Sequence, residues 1–130
     1  MVLHVELVSP ERQMFEGEAE LVIARTTDGE IGFETGHVPF VGILLPNVVR
    51  VQSSGEETRI AVHSGFIELA NDHLTLLSDV AEIAADIDVG RAQAALARAD
   101  DALSADGDDD EAAAARVRAL VRLDAAGASA

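Results

Sequence analysis

Cysteine, lysine, tryptophan and tyrosine are all absent from these 130 residues, and phenylalanine occurs only four times. Without cysteine there is no disulfide staple and no thiolate chemistry, so any folded domain must hold by packing alone. So few aromatic rings leave no sugar-stacking platform and none of the stacking surfaces used by single-strand nucleic-acid binders. Positive charge is scarce too. Nine arginines against 24 acidic residues give a formal charge of −15, which argues against nucleic acid and anionic lipid as partners. No run of about 18 apolar residues occurs, so no direct membrane insertion is expected. The opening Met1-Val2-Leu3-His4-Val5-Glu6 has no basic stretch leading into an apolar one, so no signal peptide is expected.

What is present changes abruptly near Asp86. Before it, short runs of valine, leucine and isoleucine are punctuated by glycine, proline and asparagine. After it, alanine, arginine and aspartate dominate, in two helix-length segments either side of Asp106-Gly107-Asp108-Asp109-Asp110. Strands are expected over 2–8, 18–24, 31–33, 41–45, 48–52, 59–63, 66–69 and 74–77, separated by turn signals such as Ser9-Pro10, Thr27-Asp28-Gly29-Glu30, Ser64-Gly65 and Asn71-Asp72. The fold class is therefore mainly β with α. An N-terminal β-sandwich of short, mostly antiparallel strands spans 1–85, and a C-terminal α-helical hairpin spans 86–130. The sandwich core is aliphatic, with Phe15, Phe33, Phe40 and Phe66 as its bulky pieces.

Asp88 is a good N-cap for a first helix running to about Ser104, whose inward face carries Ala92, Ala95, Leu96, Ala99 and Leu103. A second helix, roughly Asp110 to Asp124, offers Ala113, Val117, Leu120 and Val121, and the acids at its start suit its dipole. The tail Ala125 to Ala130 is expected to fray. Such thin seams bury little, and isolated helices of about 12–15 residues barely hold in water. The hairpin should depend on the β domain, a ligand or a partner. A fixed anchor with a movable arm reads as a regulatory or coupling subunit rather than an enzyme.

Particular segments then narrow the choice. Leu7-Val8-Ser9-Pro10-Glu11-Arg12 and Phe15-Glu16-Gly17-Glu18-Ala19-Glu20 open the chain. Asp28-Gly29-Glu30-Ile31-Gly32, followed by Gly36-His37-Val38-Pro39, joins a glycine–glutamate turn to a Gly-His-x-Pro loop. Ser64-Gly65-Phe66-Ile67-Glu68 and Leu77-Ser78-Asp79-Val80-Ala81-Glu82 come later. Ile87-Asp88-Val89-Gly90-Arg91-Ala92 fits an Ile/Leu-Asp-x-x-Arg-Ala helix opening. In this order, over nearly the whole chain, they resemble the ε subunit of F-type ATP synthases, the rotary enzymes of bacteria and organelles. The chain departs from the family pattern at Glu34-Thr35, at His63-Ser64-Gly65 and in the acidic loop Asp106 to Glu111.

The resemblance implies a non-catalytic rotor subunit of the central stalk. It would bind the γ subunit and the c-ring, couple proton-driven rotation to ATP synthesis, and restrain ATP hydrolysis by extending its C-terminal helices into the catalytic α/β head. Its implied place is the cytoplasmic side of the bacterial plasma membrane, peripheral and held through the complex. Glu30 and His37, at what would be one end of the sandwich, are the implied c-ring contacts; taken alone, they are ordinary turn residues. Glu82, Asp88, Arg91, Arg98, Arg118 and Arg122 match an ATP site that some bacterial members form between sandwich and hairpin. Taken alone, Asp88 with Arg91 is a common helix start, but forked guanidinium groups suit phosphate and clustered arginines call for an anion. Arg116, Arg118 and Arg122 are the implied inhibitory-arm contacts; taken alone, they form a solvated face pairing with Glu111 or Asp124.

On this reading no cofactor is required, and ATP is a regulatory ligand. No metal is expected, since Asp28, Glu30 and His37 would be three loop ligands without a second histidine. The chain has no Gly-x-x-x-x-Gly-Lys loop, so it is not expected to hydrolyse ATP. Ser64, His63 and Asp79 do not read as a triad, because Ser64 sits in a plain turn and its sequence neighbour cannot readily act as its base. The alternative function is a stand-alone nucleotide sensor whose hairpin closes over ATP without any rotary machine.

Overall fold

The computed structural model describes residues 2–128. Ten strands come first: β1 (Leu3–Val8), β2 (Gln13–Ala19), β3 (Leu21–Thr26), β4 (Gly29–Phe33), β5 (Phe40–Leu44), β6 (Asn47–Ser53), β7 (Glu56–Val62), β8 (Gly65–Ala70), β9 (His73–Leu77) and β10 (Ala81–Ile83). A single 3-10 turn, Ala84–Asp86, leads into α1 (Val89–Ala105) and α2 (Asp110–Ala126). Hydrogen bonding runs in the order β10-β7-β6-β3-β5-β8-β9-β1-β2, with β4 attached to β3 alone. All pairings are antiparallel except β1 with β9, which inserts the first strand of the chain between β9 and β2. Alternation sets the inner face. Leu3, Val5 and Leu7 are fully buried while His4, Glu6 and Val8 point the other way, and Leu74 and Leu76 repeat the pattern on β9.

Register explains where the expected strands and core were wrong. The strand expected over 18–24 is two strands: β2 ends at Ala19, Glu20 makes a bend, and β3 begins at Leu21. Glu20 serves that bend with its own polar groups, its backbone N–H reaching the Gln52 carbonyl and its carboxylate accepting from the Ser54 amide at 2.9 Å. The residue pattern alone gave no strand over most of β2 or at β10, although the resemblance counted Phe15 to Glu20 and Leu77 to Glu82 among the family's strands. Only Phe33 of the four phenylalanines is fully buried. Phe15 and Phe40 pack at the core margin, and Phe66 faces outward because Ile67 and Leu69 take the inward positions of β8.

Gly65 shows why the Ser64-Gly65 turn needs its glycine. Its φ is +145°, and a Cβ there would lie 2.1 Å from the Leu77 carbonyl oxygen. The two strands approach this closely only because that side chain is missing.

The helices end as their caps dictate. Asp88 Oδ1 accepts from the Arg91 amide and Asp109 Oδ1 from the Ala112 amide, each at 3.0 Å. Gly127, at φ +72°, closes α2 by donating to carbonyls of Leu123 and Asp124. Ala125 and Ala126 are therefore helical rather than frayed, while Ser129 and Ala130 of the same expected tail lie outside the described residues. The α1 face is as expected, with Ala92, Leu96 and Ala99 buried.

The α2 face is rotated from the expected one. Ala112, Ala119, Leu123 and Ala125 are buried, whereas Ala113 and Val117 are exposed. Alanine supplies no strong apolar register, so two different neighbours settle the rotation. Leu123 and Ala119 meet Ala92 and Leu96 of α1, and Ala125 meets Ala61 of β7 beside Ile87. α2 thus packs on both α1 and the β6–β7 face.

Candidate nucleotide cleft and docking faces

Strand β10 sets Glu82 opposite Ala61 of β7 and turns its carboxylate toward the hairpin. Glu82 Oε1 accepts from Arg122 Nε of α2 at 2.5 Å and lies 3.4 Å from His63 Nε2. His63 is buried, and its Nδ1 has no hydrogen-bond partner. Burial, then the nearby Arg122 charge, lowers the His63 pKa below its ordinary value despite Glu82. Burial pushes the Glu82 carboxyl up, but the Arg122 hydrogen bond and charge, aided by His63, outweigh it and leave the pKa lowered.

The 3-10 turn and the Asp88 cap then launch α1 so that Arg91, Ala95 and Arg98 share one helix face. Glu82, Asp86, Asp88, Arg91, Arg98 and Arg122 line one cleft of about 390 Å³, with Ala92 and Ala95 also in its wall. Five of the six expected nucleotide residues are thereby brought together. Arg118 is the exception: it lines an adjoining hollow of about 430 Å³ with Arg98 and Arg122, and pairs with Glu111 at 2.9 Å. Among the described residues, Arg91 and Arg98 make no ion pair, so their guanidinium groups are available to an anion. Guanidinium forks suit phosphate oxygens, and carboxylates can accept from an exocyclic amine. Asp86, the last residue of the 3-10 turn, was not among the expected residues.

All three arm arginines are occupied in this packed hairpin. Arg116 Nε donates to Asp100 of α1 at 2.8 Å, Arg118 pairs with Glu111, and Arg122 holds Glu82. A cross-helix partner for Arg116 was not expected, because the Asp100 contact exists only once the two helices are antiparallel.

Glu30 and His37 do not share one end of the sandwich. Glu30 lies at the Thr27-Asp28 turn, 3.4 Å from Arg25 and 3.9 Å from Arg50. His37 lies beyond the other end of β4, its ring 5.2 Å from that of Phe33 and its Nδ1 2.7 Å from the Val38 carbonyl. The extended run of β4 separates them. The Ser64–His63–Asp79 grouping is also unsupported, since His63 Nε2 faces Glu82 and the Ser64 carbonyl accepts from Ser78 Oγ.

Two features had no sequence signal because they depend on register. Ile43, Phe66 and Leu77 are direct neighbours across β5, β8 and β9. They are 51%, 55% and 44% exposed, forming an apolar row beside Val8, Pro10 and Gly65. Arg59 of β7 donates to the Asp124 carbonyl at 3.2 Å, a second polar tie between α2 and the sheet.

The comparisons with known proteins agree with this architecture. Residues 2–84 match the family described as ATP synthase, Delta/Epsilon chain, beta-sandwich domain. The ATP synthase epsilon chain of Streptomyces avermitilis is 48% identical over 127 residues, covering 97% of this chain and 96% of that protein. The epsilon chain of Streptomyces griseus is 49% identical over 122 residues, covering 93% and 92%. In fold, the chain superposes on one in the Euglena gracilis mitochondrial ATP synthase with a TM-score of 0.71 at 22% identity, covering 94% of this chain and 75% of that one. Among the described residues no helix is long and apolar enough to cross a membrane. With a sandwich, a helical hairpin and close relatives matching over nearly their full length, the chain belongs to the ATP synthase epsilon-chain family and is a non-catalytic subunit of that enzyme.

Proposed function

We propose that the sandwich anchors this subunit to the γ subunit and the c-ring, and that the hairpin is an ATP-gated arm restraining hydrolysis by the catalytic α/β head. The observation that carries the gating is the cleft at the hinge, where Arg91 and Arg98 face Glu82, Asp88 and Arg122. Bound phosphate would bridge α1 to α2 through these guanidinium groups and favour the packed hairpin. At 100 times its dissociation constant, a nucleotide bound only to that state favours it by roughly 2.7 kcal/mol. That is large beside the small apolar seams joining the helices to each other and to the sheet.

The anchoring half rests on the Ile43–Phe66–Leu77 row, an apolar strip suited to an apolar face on γ. Glu30 and His37 remain the proposed c-ring contacts. Since Glu30 lies at the start of β4 and His37 beyond its other end, and β4 pairs with β3, a ring touching both would lie along that edge rather than against a single turn. Inhibition requires Arg116, Arg118 and Arg122 to exchange Asp100, Glu111 and Glu82 for acids of the head. On this reading the chain is peripheral, at the cytoplasmic face of a bacterial plasma membrane.

Isothermal titration of ATP, with and without magnesium, into the full-length chain tests the gate. Saturable heat that is lost on removing the hairpin is expected; silence would reduce Asp88 and Arg91 to a helix cap. Co-purification with γ tests the anchor, which a free-standing nucleotide sensor would fail.

A further inference from the structure

The outer face of β1 carries a second cluster, at the opposite end of the strand order from β7 and the hairpin. The parallel β1–β9 register sets His4 directly beside His73, with ring centroids 4.8 Å apart. Alternation brings Glu6 onto the same face, and the antiparallel β1–β2 register sets Glu16 opposite it. Both imidazoles aim Nε2 at one oxygen: Glu6 Oε1 is 2.7 Å from His73 and 3.5 Å from His4. Glu16 Oε2 is 3.6 Å from His4 Nε2 and supplies a further oxygen. Gln13 Nε2 donates to Glu6 Oε2 at 3.1 Å and to Glu16 Oε2 at 3.0 Å, holding both carboxylates in place.

We propose that His4, Glu6 and His73 form a binding site for a divalent transition-metal ion, zinc by its chemistry, with Glu16 or water completing the coordination. Ligands about 2.0–2.2 Å from a tetrahedral zinc lie roughly 3.3–3.5 Å from one another. The His4–Glu6 separation already has that value, and all three donor atoms lie within 4.8 Å of one another. The His73–Glu6 hydrogen bond must open by less than about 1 Å, as its proton is exchanged for the metal, while the His4 and His73 nitrogens, at most 4.8 Å apart, draw together by rotation of exposed rings. Two imidazole nitrogens select zinc, copper or nickel over magnesium and calcium, which prefer all-oxygen sites. Gln13 acts as the orienting outer partner common around metal-bound carboxylates. Sheet strands hold these side chains more firmly than the Asp28–Glu30–His37 loops could. The ion would fasten β9 to the β1–β2 edge of the anchor and takes no part in the nucleotide cleft.

The test is calorimetric titration of zinc into the metal-free, untagged, full-length chain with magnesium in excess, so that attraction to the −15 charge is saturated. One equivalent is expected to bind with a dissociation constant of about 10 μM or tighter, shifting the ring signals of His4 and His73 in the NMR spectrum. His73→Gln and Glu6→Gln should each weaken binding at least about tenfold while leaving the circular dichroism unchanged; Asp28→Asn should alter nothing. No saturable binding, magnesium competing equally, or zinc that leaves the His4 and His73 signals unmoved would each overturn the site.

Discussion

Arg122 of α2 donates its Nε to the carboxylate of Glu82 on β10 across 40 residues of sequence, tying the last helix to the last strand. The pair is partly buried and lines the cleft, so it couples hairpin packing to whatever fills that space. Glu82→Gln keeps the shape but removes the charge facing the guanidinium. The expected cost to the packed hairpin is about 1 kcal/mol, the upper end for pairs with this much solvent access. Hydrogen exchange should show α2 amides opening roughly fivefold more often, with the β1 and β9 amides unaffected.

Stability should depend on pH in two separate windows. The folded-state pKa of His63 is lowered, by burial first and then by Arg122, so the unfolded chain takes up the proton more readily. Its contribution is complete above about 6.5 and is lost as pH falls from there toward the lowered folded value. Glu82 is also lowered, so its contribution holds above its ordinary value of 4.5 and is lost below it. Urea midpoints measured across pH should show both declines. His63→Leu, which removes the partnerless Nδ1, should erase the upper decline and keep the lower one.

Arg91→Ala combined with Arg118→Ala should abolish any ATP-dependent compaction seen by small-angle X-ray scattering. Arg91 lines the cleft and Arg118 the adjoining hollow, so the double variant removes a guanidinium from each. Compaction that persists unchanged would break the assignment of the ATP site.

Gly65→Ala should be severely destabilising. The added Cβ would meet the Leu77 carbonyl oxygen at 2.1 Å, in a backbone conformation that side chains rarely adopt. A loss above about 3 kcal/mol is expected, readable as a fall in thermal midpoint.

Phe66→Glu should do the reverse, leaving the fold intact because the side chain is already exposed. It should cut binding to γ at least tenfold. A variant that still co-purifies with γ at wild-type yield would move the docking surface elsewhere.

Much of this molecule was legible because its signals are local. Alternation in Leu3 to Val8, the Asp88 cap and the glycine turns each act within a few residues, and they yield the sandwich, the hairpin and most strand positions. Of the cleft residues, Asp88 and Arg91 were legible through the Ile87 to Ala92 motif, and Glu82, Arg98 and Arg122 through the family resemblance alone. What escaped depends on partners far along the chain. Phe66 faces outward because of the β8 register, α2 is rotated by contacts with Ala61 and Leu96, and His4 meets His73 only through a parallel pairing. Glu30 and His37 look adjacent in a string of turns, yet the straight run of β4 holds them apart.

The apolar part of the contact between α2 and the sheet is small, Ala61 against Ala125 with Ile87, Val48 and Val121 alongside. A buried methylene contributes about 0.8 kcal/mol, so one leucine accommodated in place of either alanine would by itself approach what a saturating nucleotide supplies. Such a residue would turn the arm from a toggle into a lock. Keeping the seam small places the set point of the equilibrium within reach of a fluctuating metabolite pool, so that on the proposed reading the rotor's brake responds to the energy state of the cell.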